Sequence, residues 1–454
     1  MSPKLFGTSG IRGLANVDLT PQLALAVGEA MASEIDGGKV TVGRDARLTG
    51  EMLESALVSG LNSCGTEAKV LGLVPTPVLA FLTRELKADA GVAISASHNP
   101  PQYNGLKIFD GTGMAYTEQR QDALESRIEG GSFTFRTYDK LGNTERINAN
   151  NLYIEALEKN IKLERRWRIA FDLFNGATGV IAPELFRGLG IESTFINSQP
   201  DGHFPSGNPE PTADSLGRLS NLVKKKGAEL GFGFDGDGDR MMVIDEKGGV
   251  PTPDRVLAAY SKSVVQKNGG GTVVTHVGAS MCVDEAVEDA GGSVIRTKVG
   301  DVSITEAMIE NGAVFGGEPI GAWVHPEVHL CPDGILSALK LVEALEREDQ
   351  TLSGFIEDIP EYPIMSSKVD CPNSMKRRVM KAIETGYGKV FKEELTLSTV
   401  DGVRMDLGYG WTLIRPSGTE PIMRITVEAR EMKRAKVLME RSRELVSRAM
   451  EGRL

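Results

Sequence analysis

The stretch KVTVGRDARLTGEMLESALVSGLNSCGTEAKVLGL, residues 39–73, decides the fold class. Its first five residues form an apolar run that predicts a buried strand, and AKVLGL at its end predicts another. Between them the residue pattern predicts a helix with Thr49 as N-cap, which ends near Cys64 and is stopped by Gly65. A strand, a helix and a strand in this order predict parallel strands with helices packed on the sheet.

The same alternation continues along the chain and restarts twice. GVAISA (91–96) predicts a further strand, RIAFDLFNGATG (168–179) begins a second unit and PTPDRVLAAY (251–260) opens a third. After the proline-containing stretch at 356–365 the order changes, because a predicted helix at 374–386 precedes three successive antiparallel strands. The repetition is one of topology, since no residue-level repeat accompanies it.

These units predict four domains in a chain of 454 residues, which is longer than one hydrophobic core usually organises. We expect an α/β fold with three similar domains, each built on a mixed or parallel sheet, and a smaller α+β domain at the carboxyl end. The predicted domains are residues 1–150, 151–252, 253–364 and 365–454.

The composition is that of an ordinary globular protein, with 41% hydrophobic and 25% charged residues. The 51 Lys and Arg residues against 62 Asp and Glu residues leave a formal charge of -11, which repels polyphosphate and argues against nucleic acid as a partner. An anionic substrate therefore needs a local cluster of cationic side chains.

No window of the sequence is apolar enough to cross a bilayer, and the amino-terminal residues lack the apolar core of a signal peptide. The four cysteines are widely spaced and include no C-x-x-C pair, which argues against a disulfide framework or a zinc site. We therefore expect a cytoplasmic protein without a membrane partner.

The loop ISASHNP (94–100) carries the first chemical signal, because Ser97 follows a buried strand, where open α/β sheets place ligand-binding groups. Asn99 and Pro100 force a turn that presents one hydroxyl beside the imidazole of His98. A serine that accepts and donates phosphoryl groups needs such neighbouring donors. The alternative is an ordinary Ser/Asn/Pro turn with a surface histidine.

The segment FDGDGDR (234–240) has three carboxylates on alternate residues and glycines that allow tight curvature, a pattern that predicts a divalent-cation site. The carboxylates are those of Asp235, Asp237 and Asp239. An EF-hand is the competing interpretation, since Glu246 stands at the twelfth loop position. Against it, Arg240 replaces the glycine of the sixth position, and the flanking runs are typical of strands.

The segment RPSGTEP (415–421), with Arg424 beyond it, combines hydroxyls, a glycine N–H and guanidinium groups, which suit a dianionic phosphate. Alone, it is also common turn chemistry. Two further segments are informative only together with these. FGTSGIRG (6–13) is a glycine-rich loop that contains Arg12, and Gly-Gly-Glu at 316–318 sets a carboxylate at the end of a strand.

Together and in this order, these segments resemble the α-D-phosphohexomutase family over essentially the whole chain. The motifs that carry the resemblance are GTSGIRG, ISASHNP with Lys107, DGDGDR, the GGE loop and RPSGTEP. The resemblance implies four domains around a central cleft, Mg²⁺ as cofactor and a hexose 1,6-bisphosphate as activator. It also implies a monomer or homodimer whose ligand is a small sugar phosphate.

The resemblance further implies a role for each matching residue. Ser97 would be the phosphoserine and, through its phosphate, a metal ligand beside the three aspartates. His98, Lys107 and Arg12 would surround the transferring phosphoryl group. The residues expected to bind substrate are Arg240, Lys298 and Glu318 near the reaction centre, and Arg415, Ser417, Gly418, Thr419 and Arg424 around the distal phosphate.

The chain departs from the family pattern after Glu318, where many members have Ser-Gly-His and this chain has Pro-Ile-Gly-Ala. A histidine role cannot be transferred to Ala322, so His325 or His329 is a hypothetical source of an imidazole, and both are equally compatible with structural roles. This variant loop is similar to that of the archaeal-type branch, which implies glucosamine 6-phosphate and glucosamine 1-phosphate as substrates. Phosphomannomutase/phosphoglucomutase activity is the alternative.

Two other functions lie outside this reaction. A metal-dependent sugar phosphatase also uses serine and aspartate, but it releases inorganic phosphate. A Ca²⁺-binding or sugar-phosphate-binding protein would need no modification at Ser97. Neither alternative explains the loop at 415–421 together with the other four segments.

Overall fold

A computed structural model describes residues 5–7, 10–418 and 420–454. The first domain is built on a seven-stranded mixed sheet with the strand order β1-β2-β6-β5-β3-β4-β7. Its elements are β1 (Phe6–Gly7), β2 (Gly10–Leu14), α1 (Pro21–Ile35), β3 (Lys39–Arg44), α2 (Gly50–Ser63), β4 (Glu67–Leu73), α3 (Thr76–Glu85), β5 (Ala90–Ile94), β6 (Tyr103–Asp110), α4 (Glu118–Gly130) and β7 (Thr144–Arg146).

The second domain follows the helix α5 (Asn150–Asn160) and has a four-stranded sheet with the order β11-β10-β8-β9. A short 3-10 turn at Ala177–Val180 precedes its first helix. Its elements are β8 (Arg168–Asp172), α6 (Ala182–Gly188), β9 (Glu192–Ile196), α7 (Gly217–Lys226), β10 (Leu230–Phe234) and β11 (Met241–Ile244).

The third domain also has a four-stranded sheet, with the order β13-β12-β14-β15. Its elements are α8 (Pro253–Asn268), β12 (Gly271–His276), α9 (Met281–Asp289), β13 (Gly292–Thr297), α10 (Asp301–Asn311), β14 (Phe315–Gly317), β15 (Trp323–Val324), α11 (Gly334–Arg347) and α12 (Leu352–Phe355).

The fourth domain is an antiparallel five-stranded sheet, ordered β16-β20-β19-β18-β17, covered by two helices. Its elements are β16 (Ile364–Asp370), α13 (Asn373–Gly386), a 3-10 turn (Tyr387–Lys389), β17 (Thr396–Ser398), β18 (Val403–Asp406), β19 (Gly410–Pro416), β20 (Ile422–Ala429) and α14 (Met432–Met450). The predicted helix near 374–386 and the three antiparallel strands after it are confirmed.

The repeated topology predicted for the first three domains is also confirmed. Each sheet contains three parallel strands followed by one antiparallel strand: β4-β3-β5 with β6, β9-β8-β10 with β11, and β13-β12-β14 with β15. The loops from β5 to β6, β10 to β11 and β14 to β15 are therefore equivalent connections. The three loops contain Ser97, the three aspartates and Glu318, respectively.

The helix predicted within residues 39–73 is α2. Thr49 precedes this helix as expected, but its side chain does not make the predicted capping hydrogen bond. Its Oγ1 instead accepts a hydrogen bond from Nδ2 of Asn104, on β6, at 3.0 Å. Gly65, with φ +88°, follows the helix as predicted, in a conformation that glycine tolerates best.

The first three domains share one contiguous hydrophobic cluster, which includes Phe81, Phe171 and Trp323 from the first, second and third domains. The fourth domain has a core of its own. Trp411 and Leu413 of this domain pack with Val277 of the third in a small separate cluster. The fourth domain therefore depends less on shared apolar burial than the other three do. In the part of the chain described, no helix is long and apolar enough to span a membrane.

Candidate active site

The loop after β5 holds Ser97 in an unusual conformation. The residue is fully buried and has φ +51°, a left-handed value that non-glycine residues rarely adopt. Its Oγ donates a hydrogen bond to Oδ2 of Asp235 at 2.5 Å and lies 3.2 Å from Nδ1 of His98. Because the single hydroxyl proton goes to Asp235, Nδ1 of His98 acts as the donor in its contact. The serine and the first aspartate, predicted separately from the sequence, are thus in direct contact.

A buried arginine fixes the backbone of this loop. Nη1 of Arg47 donates to the carbonyl oxygens of Pro100 (2.7 Å) and Tyr103 (2.8 Å). Nη2 donates to the carbonyl oxygens of Ser97 (2.8 Å) and Asn99 (2.6 Å). One guanidinium therefore binds four carbonyls of a single turn, which a planar group with five N–H donors can do.

The positive charge of Arg47 is balanced by Asp45, two residues earlier. Nε of Arg47 lies 3.0 Å from Oδ2 of Asp45, and both side chains are fully buried. Oγ of Ser95 donates to the same carboxylate at 2.7 Å and accepts the N–H of Ser97 at 2.8 Å. The sequence analysis missed this network. The available signal was a charged pair, Asp-Ala-Arg, at the carboxyl end of a buried strand.

The aspartates of the second domain face cationic and hydroxyl groups of the first domain. Nζ of Lys107, on β6, lies 2.7 Å from Oδ2 of Asp237 and 2.5 Å from Oδ2 of Asp239. Oγ1 of Thr76 also donates to Oδ2 of Asp237, at 2.6 Å. Oδ1 of Asp235 accepts the backbone N–H groups of Gly238 and Arg240. The sequence analysis did not predict the contribution of Thr76.

Burial and the neighbouring charges shift the pKa values of this cluster in different directions. Burial, together with Asp239 and Asp237, raises the pKa of Asp235 well above its ordinary value. Burial opposes ionisation of Asp237, but the Lys107 ammonium outweighs it and holds the pKa of this carboxyl well below its usual range. Burial of the Lys107 ammonium lowers its pKa, but Asp237 and Asp239 outweigh this effect and raise the pKa of Lys107. Asp237 and Lys107 are therefore an ion pair at neutral pH.

The residues present fit a divalent cation. Asp235, Asp237 and Asp239 each offer a carboxylate oxygen, and these oxygens lie within 4.8 Å of one another. Among the described residues, Oδ1 of Asp237 and Oδ1 of Asp239 are buried and have no hydrogen-bond partner. Buried carboxylate oxygens without a donor are costly, and hard oxygen donors of this kind suit Mg²⁺. The loop joins two strands, β10 and β11, so the EF-hand alternative, which requires flanking helices, is excluded.

His98, Arg12 and Arg240 line the same centre. Burial and the guanidinium groups of Arg240 and Arg12 lower the pKa of His98 to about 4, so its imidazole is neutral at pH 7. Nη1 of Arg12 donates to Oδ1 of Asn99 at 3.1 Å. Nε of Arg240 lies 3.8 Å from Oδ1 of Asp239. Both guanidinium groups therefore act on the imidazole that contacts Ser97, and Arg240 also lies beside one of the three aspartates.

Glu318 is buried at the end of β14, and its Oε1 accepts the N–H of Gly300 at 3.0 Å. Burial and the neighbouring Asp301 raise the pKa of Glu318 to about 7. Lys298 directly follows β13. Its half-exposed ammonium lies 3.5 Å from Oε2 of Glu118 in the first domain, and its role in substrate binding stays a prediction.

The fourth domain presents the predicted phosphate loop between β19 and β20. Arg415 makes two contacts with Asp401, from Nε to Oδ1 (3.1 Å) and from Nη2 to Oδ2 (2.7 Å). Oγ of Ser417 accepts the N–H of Glu420, and Nζ of Lys376 donates to the backbone oxygens of both residues. The sequence analysis overlooked Lys376 and Asp401, which hold the loop and its arginine.

The remaining predicted residues of this loop are placed as follows. Gly418 is exposed, and a Cβ added there would meet nothing within 4 Å. Arg424 is half-exposed and pairs with Glu420 at 2.8 Å. Thr419 lies outside the described residues, as do Thr8 and Ser9 of the amino-terminal glycine-rich motif.

Neither histidine proposed to replace the missing family imidazole faces the cleft. His325 is 2% exposed, with Nε2 at 3.1 Å from Oγ of Ser337. His329 is 1% exposed, with Nε2 at 2.9 Å from Oδ2 of Asp333. The tyrosine hydroxyl of Tyr153 donates to the same carboxylate oxygen, at 2.7 Å. Both imidazoles are therefore structural, and the structural alternative for them is correct.

Comparison with known protein families gives four consecutive matches. The first three are described as phosphoglucomutase/phosphomannomutase alpha/beta/alpha domains I, II and III, over residues 3–135, 151–249 and 252–362. The fourth is described as the phosphoglucomutase/phosphomannomutase C-terminal domain, over residues 367–445.

Relatives match along almost their entire length. A protein of Methanopyrus kandleri described as a "probable phosphoglucosamine mutase" is 42% identical over 450 residues, which cover 99% of both chains. One of Pyrococcus abyssi with the same description is 42% identical over 98% of both chains. Among solved structures, a phosphoglucomutase/phosphomannomutase family protein of Burkholderia thailandensis superposes with a TM-score of 0.89 at 28% identity, covering 99% of this chain and 98% of that one.

Proposed function

Since the chain belongs to the phosphoglucomutase/phosphomannomutase family, we propose that it interconverts glucosamine 6-phosphate and glucosamine 1-phosphate through a phosphorylated Ser97. The names of the archaeal relatives support the amino sugar. One observation carries the reaction type: Oγ of Ser97 lies 2.5 Å from the carboxylate of Asp235, although the two residues belong to different domains. A serine bound to a metal-ligating aspartate is placed to exchange a phosphoryl group.

The reaction consists of two transfers in opposite directions. In the first, the Oγ–P bond of phosphorylated Ser97 breaks while a bond forms between phosphorus and the free sugar hydroxyl; the hydroxyl gives up its proton and the released Oγ of Ser97 gains one. The resulting bisphosphate turns around in the cleft. In the second, the bond between the other phosphoryl group and its sugar oxygen breaks while a bond forms between phosphorus and Oγ of Ser97. The serine hydroxyl, which donates to Oδ2 of Asp235, gives up its proton, and the released sugar oxygen gains one.

The cationic side chains of the first domain neutralise and orient the moving group. Lys107 is held as an ammonium by the aspartates, and Arg12 is held by Asn99, so neither needs to reorganise much during transfer. Neutral His98 donates from Nδ1 to Oγ of Ser97 and stabilises negative charge on that oxygen. A Mg²⁺ ion bound by the three aspartates would supply further charge neutralisation and help align the phosphate oxygens.

The two ends of the substrate are read by different domains. Arg415 and Ser417 suit the phosphate that does not react, while Glu318 accepts hydrogen bonds from sugar hydroxyls. Since the phosphate loop recognises phosphate and not the ring, it can hold either end of the bisphosphate. A hexose 1,6-bisphosphate in catalytic amount would load Ser97 and act as activator. The four cysteines are unpaired and buried, which is compatible with the proposed cytoplasmic location.

A coupled assay tests the proposal. Purified protein with Mg²⁺ and a trace of bisphosphate is supplied with the 1- and 6-phosphates of glucosamine, glucose and mannose. The proposal expects the highest kcat/KM for the glucosamine phosphates and no net release of inorganic phosphate. Preference for glucose or mannose phosphates would favour the phosphomannomutase/phosphoglucomutase alternative. Release of inorganic phosphate without isomerisation would identify a phosphatase instead.

A further inference from the structure

Asp401, in the turn between β17 and β18, contacts two domains at once. It holds the guanidinium of Arg415 through both of its oxygens, and Oδ2 also accepts the N–H of Val299, in the third domain, at 3.1 Å. Sequence reasoning gave Asp401 no role. Its carboxylate ties the phosphate-binding arginine to the loop between β13 and α10.

The next amide of that loop binds Glu318, the carboxylate proposed to accept hydrogen bonds from the sugar hydroxyls. The N–H of Gly300 donates to Oε1 of Glu318 at 3.0 Å, and Gly300 has φ +126°, a conformation that side chains rarely adopt. Hydrogen bonds thus link Arg415 to Asp401, Asp401 to the N–H of Val299, and the N–H of Gly300 to Glu318, and the backbone of residue 299 joins the two amides covalently. The series runs from the predicted distal phosphate to the predicted sugar site.

Considered alone, the negative charge of Asp401 is unfavourable for phosphate binding at Arg415. A carboxylate in contact with Arg415 repels a phosphate that approaches the same guanidinium and competes for its donors. An asparagine could accept the Val299 N–H without this repulsion. Nε and Nη2 of Arg415 contact Asp401, and among the described residues this guanidinium has no other hydrogen-bond partner, so its other N–H groups can bind a phosphate.

We propose that Asp401 is a positioning residue that couples phosphate capture by Arg415 to the placement of Glu318. When a phosphate fixes the guanidinium, Asp401 is fixed with it, and the peptide between residues 299 and 300 then sets Glu318 against the sugar. This inference rests on the proposed function, because it assigns the phosphate to Arg415 and the sugar to Glu318.

A double-mutant cycle measures the coupling through kcat/KM. Asp401→Asn preserves shape and the acceptor for Val299, and should reduce kcat/KM by about tenfold while inhibition by inorganic phosphate stays equal or becomes stronger. In Glu318→Gln protein the same substitution should cost less than about twofold, because the coupled group is already lost. Equal, multiplicative losses in both backgrounds would overturn the proposal.

A matched control separates coupling from loosening of the domain interface. Asp406 holds Arg404 through two contacts of 2.9 Å, and Arg404 donates to the backbone of Val277 in the third domain. This pair joins the same two domains without leading to Glu318. Asp406→Asn should show no dependence on the residue at 318. The same non-additivity in this control would also overturn the proposal.

A second measurement does not require mutase activity. Amide hydrogen exchange of the peptide that contains residues 299 and 300 is followed with and without inorganic phosphate. In the wild type, phosphate should slow exchange, and in Asp401→Ala protein it should not. If phosphate slows exchange in a wild type that isomerises no hexose phosphate, the coupling stands and the proposed function fails. Equal protection in both proteins would overturn the coupling alone.

Discussion

The three aspartates of the DGDGDR segment are chemically identical but have different surroundings. Asp235 binds Ser97 and two backbone amides, Asp237 is fully buried between Lys107 and Thr76, and the side chain of Asp239 is 15% exposed. Substitutions at the three positions should therefore not be equivalent. The side chain of Asp237 binds two residues of the first domain, Lys107 and Thr76.

Asp237→Asn should weaken Mg²⁺ binding and reduce turnover by about a hundredfold, because one anionic ligand is lost and Lys107 keeps only Asp239. Isothermal titration with Mg²⁺ and steady-state kinetics measure the two effects. Asp245→Asn is the control, since Asp245 binds the backbone amides of Lys247 and Gly249 in its own turn. Unchanged Mg²⁺ affinity in Asp237→Asn protein would show that this carboxylate is not a ligand.

Glu318 should make substrate binding pH-dependent. Its pKa is raised from 4.5 to about 7, so the carboxylate is protonated below that pH and becomes an acceptor for sugar hydroxyls above it. KM should therefore fall as the pH rises from 6 to 8, on the order of several-fold. Glu318→Gln protein, measured over the same range, corrects for titration of the substrate phosphate. Identical KM profiles would contradict the assignment.

The same shift affects stability with a defined sign. Between pH 4.5 and about 7 the folded protein holds a proton on Glu318 that the unfolded chain has lost. Folding stability from this group therefore decreases as the pH rises through that window. Other buried carboxyls such as Asp254, whose burial raises its pKa to about 6, contribute in the same direction. Urea denaturation at several pH values should therefore show a steeper loss of stability in the wild type than in Glu318→Gln protein.

At the scale of elements, the equivalent strand–loop–strand connections determine the site. The sequence indicated where strands end, and this placed Ser97 and the aspartates correctly in loops. The charged pair Asp-Ala-Arg could have drawn attention to Arg47, but the sequence could not indicate what Arg47 binds, because backbone carbonyls about 50 positions away have no residue-type signature. The prediction that the Thr49 side chain caps α2 was wrong for a related reason, because Asn104, which is distant in the sequence, donates a hydrogen bond to its hydroxyl.

Arg47→Met should release the Ser97 loop. The substitution leaves four carbonyls without a donor and Asp45 without its counter-charge, so it should lower the free energy of unfolding by about 3–5 kcal/mol. Adding Asp45→Asn should restore part of this stability but not kcat, because the loop remains unsupported. Thermal or urea denaturation and kinetics are measured on both variants. Recovery of kcat together with stability would show that Arg47 acts only on folding.

At the scale of the whole molecule, the first three domains share one hydrophobic cluster and the fourth domain has a separate one; the first domain also has a second cluster of its own. The histidines His325 and His329 illustrate what sequence alone could not decide, since only tertiary packing shows that Phe81 and Asp333 enclose the second of them. The separate core of the fourth domain suits a part of the molecule that adjusts to substrate. Substitutions in its phosphate loop should therefore change substrate binding more than the rate of phosphoryl transfer.

Arg415→Ala should raise KM by about ten- to a hundredfold, which corresponds to about 1.5–3 kcal/mol for a charge-assisted contact. More bisphosphate should escape into solution, because the distal phosphate is no longer held while the intermediate turns. Arg430→Ala is the control, because it removes another exposed arginine of the fourth domain, one that pairs with Glu285 of the third domain. Normal KM and normal retention of bisphosphate would mean that the 415–421 loop is only a turn.

The central claim is that Ser97 carries the phosphoryl group that is transferred. The most direct measurement is peptide mapping by mass spectrometry after incubation with a hexose 1,6-bisphosphate and Mg²⁺, in the wild type and in Ser97→Ala protein. We expect one phosphoryl group on Ser97 of the wild type, its removal on addition of excess monophosphate, and neither phosphorylation nor turnover in a folded Ser97→Ala protein. Phosphorylation of another residue in active protein, or full turnover by Ser97→Ala, would contradict the mechanism.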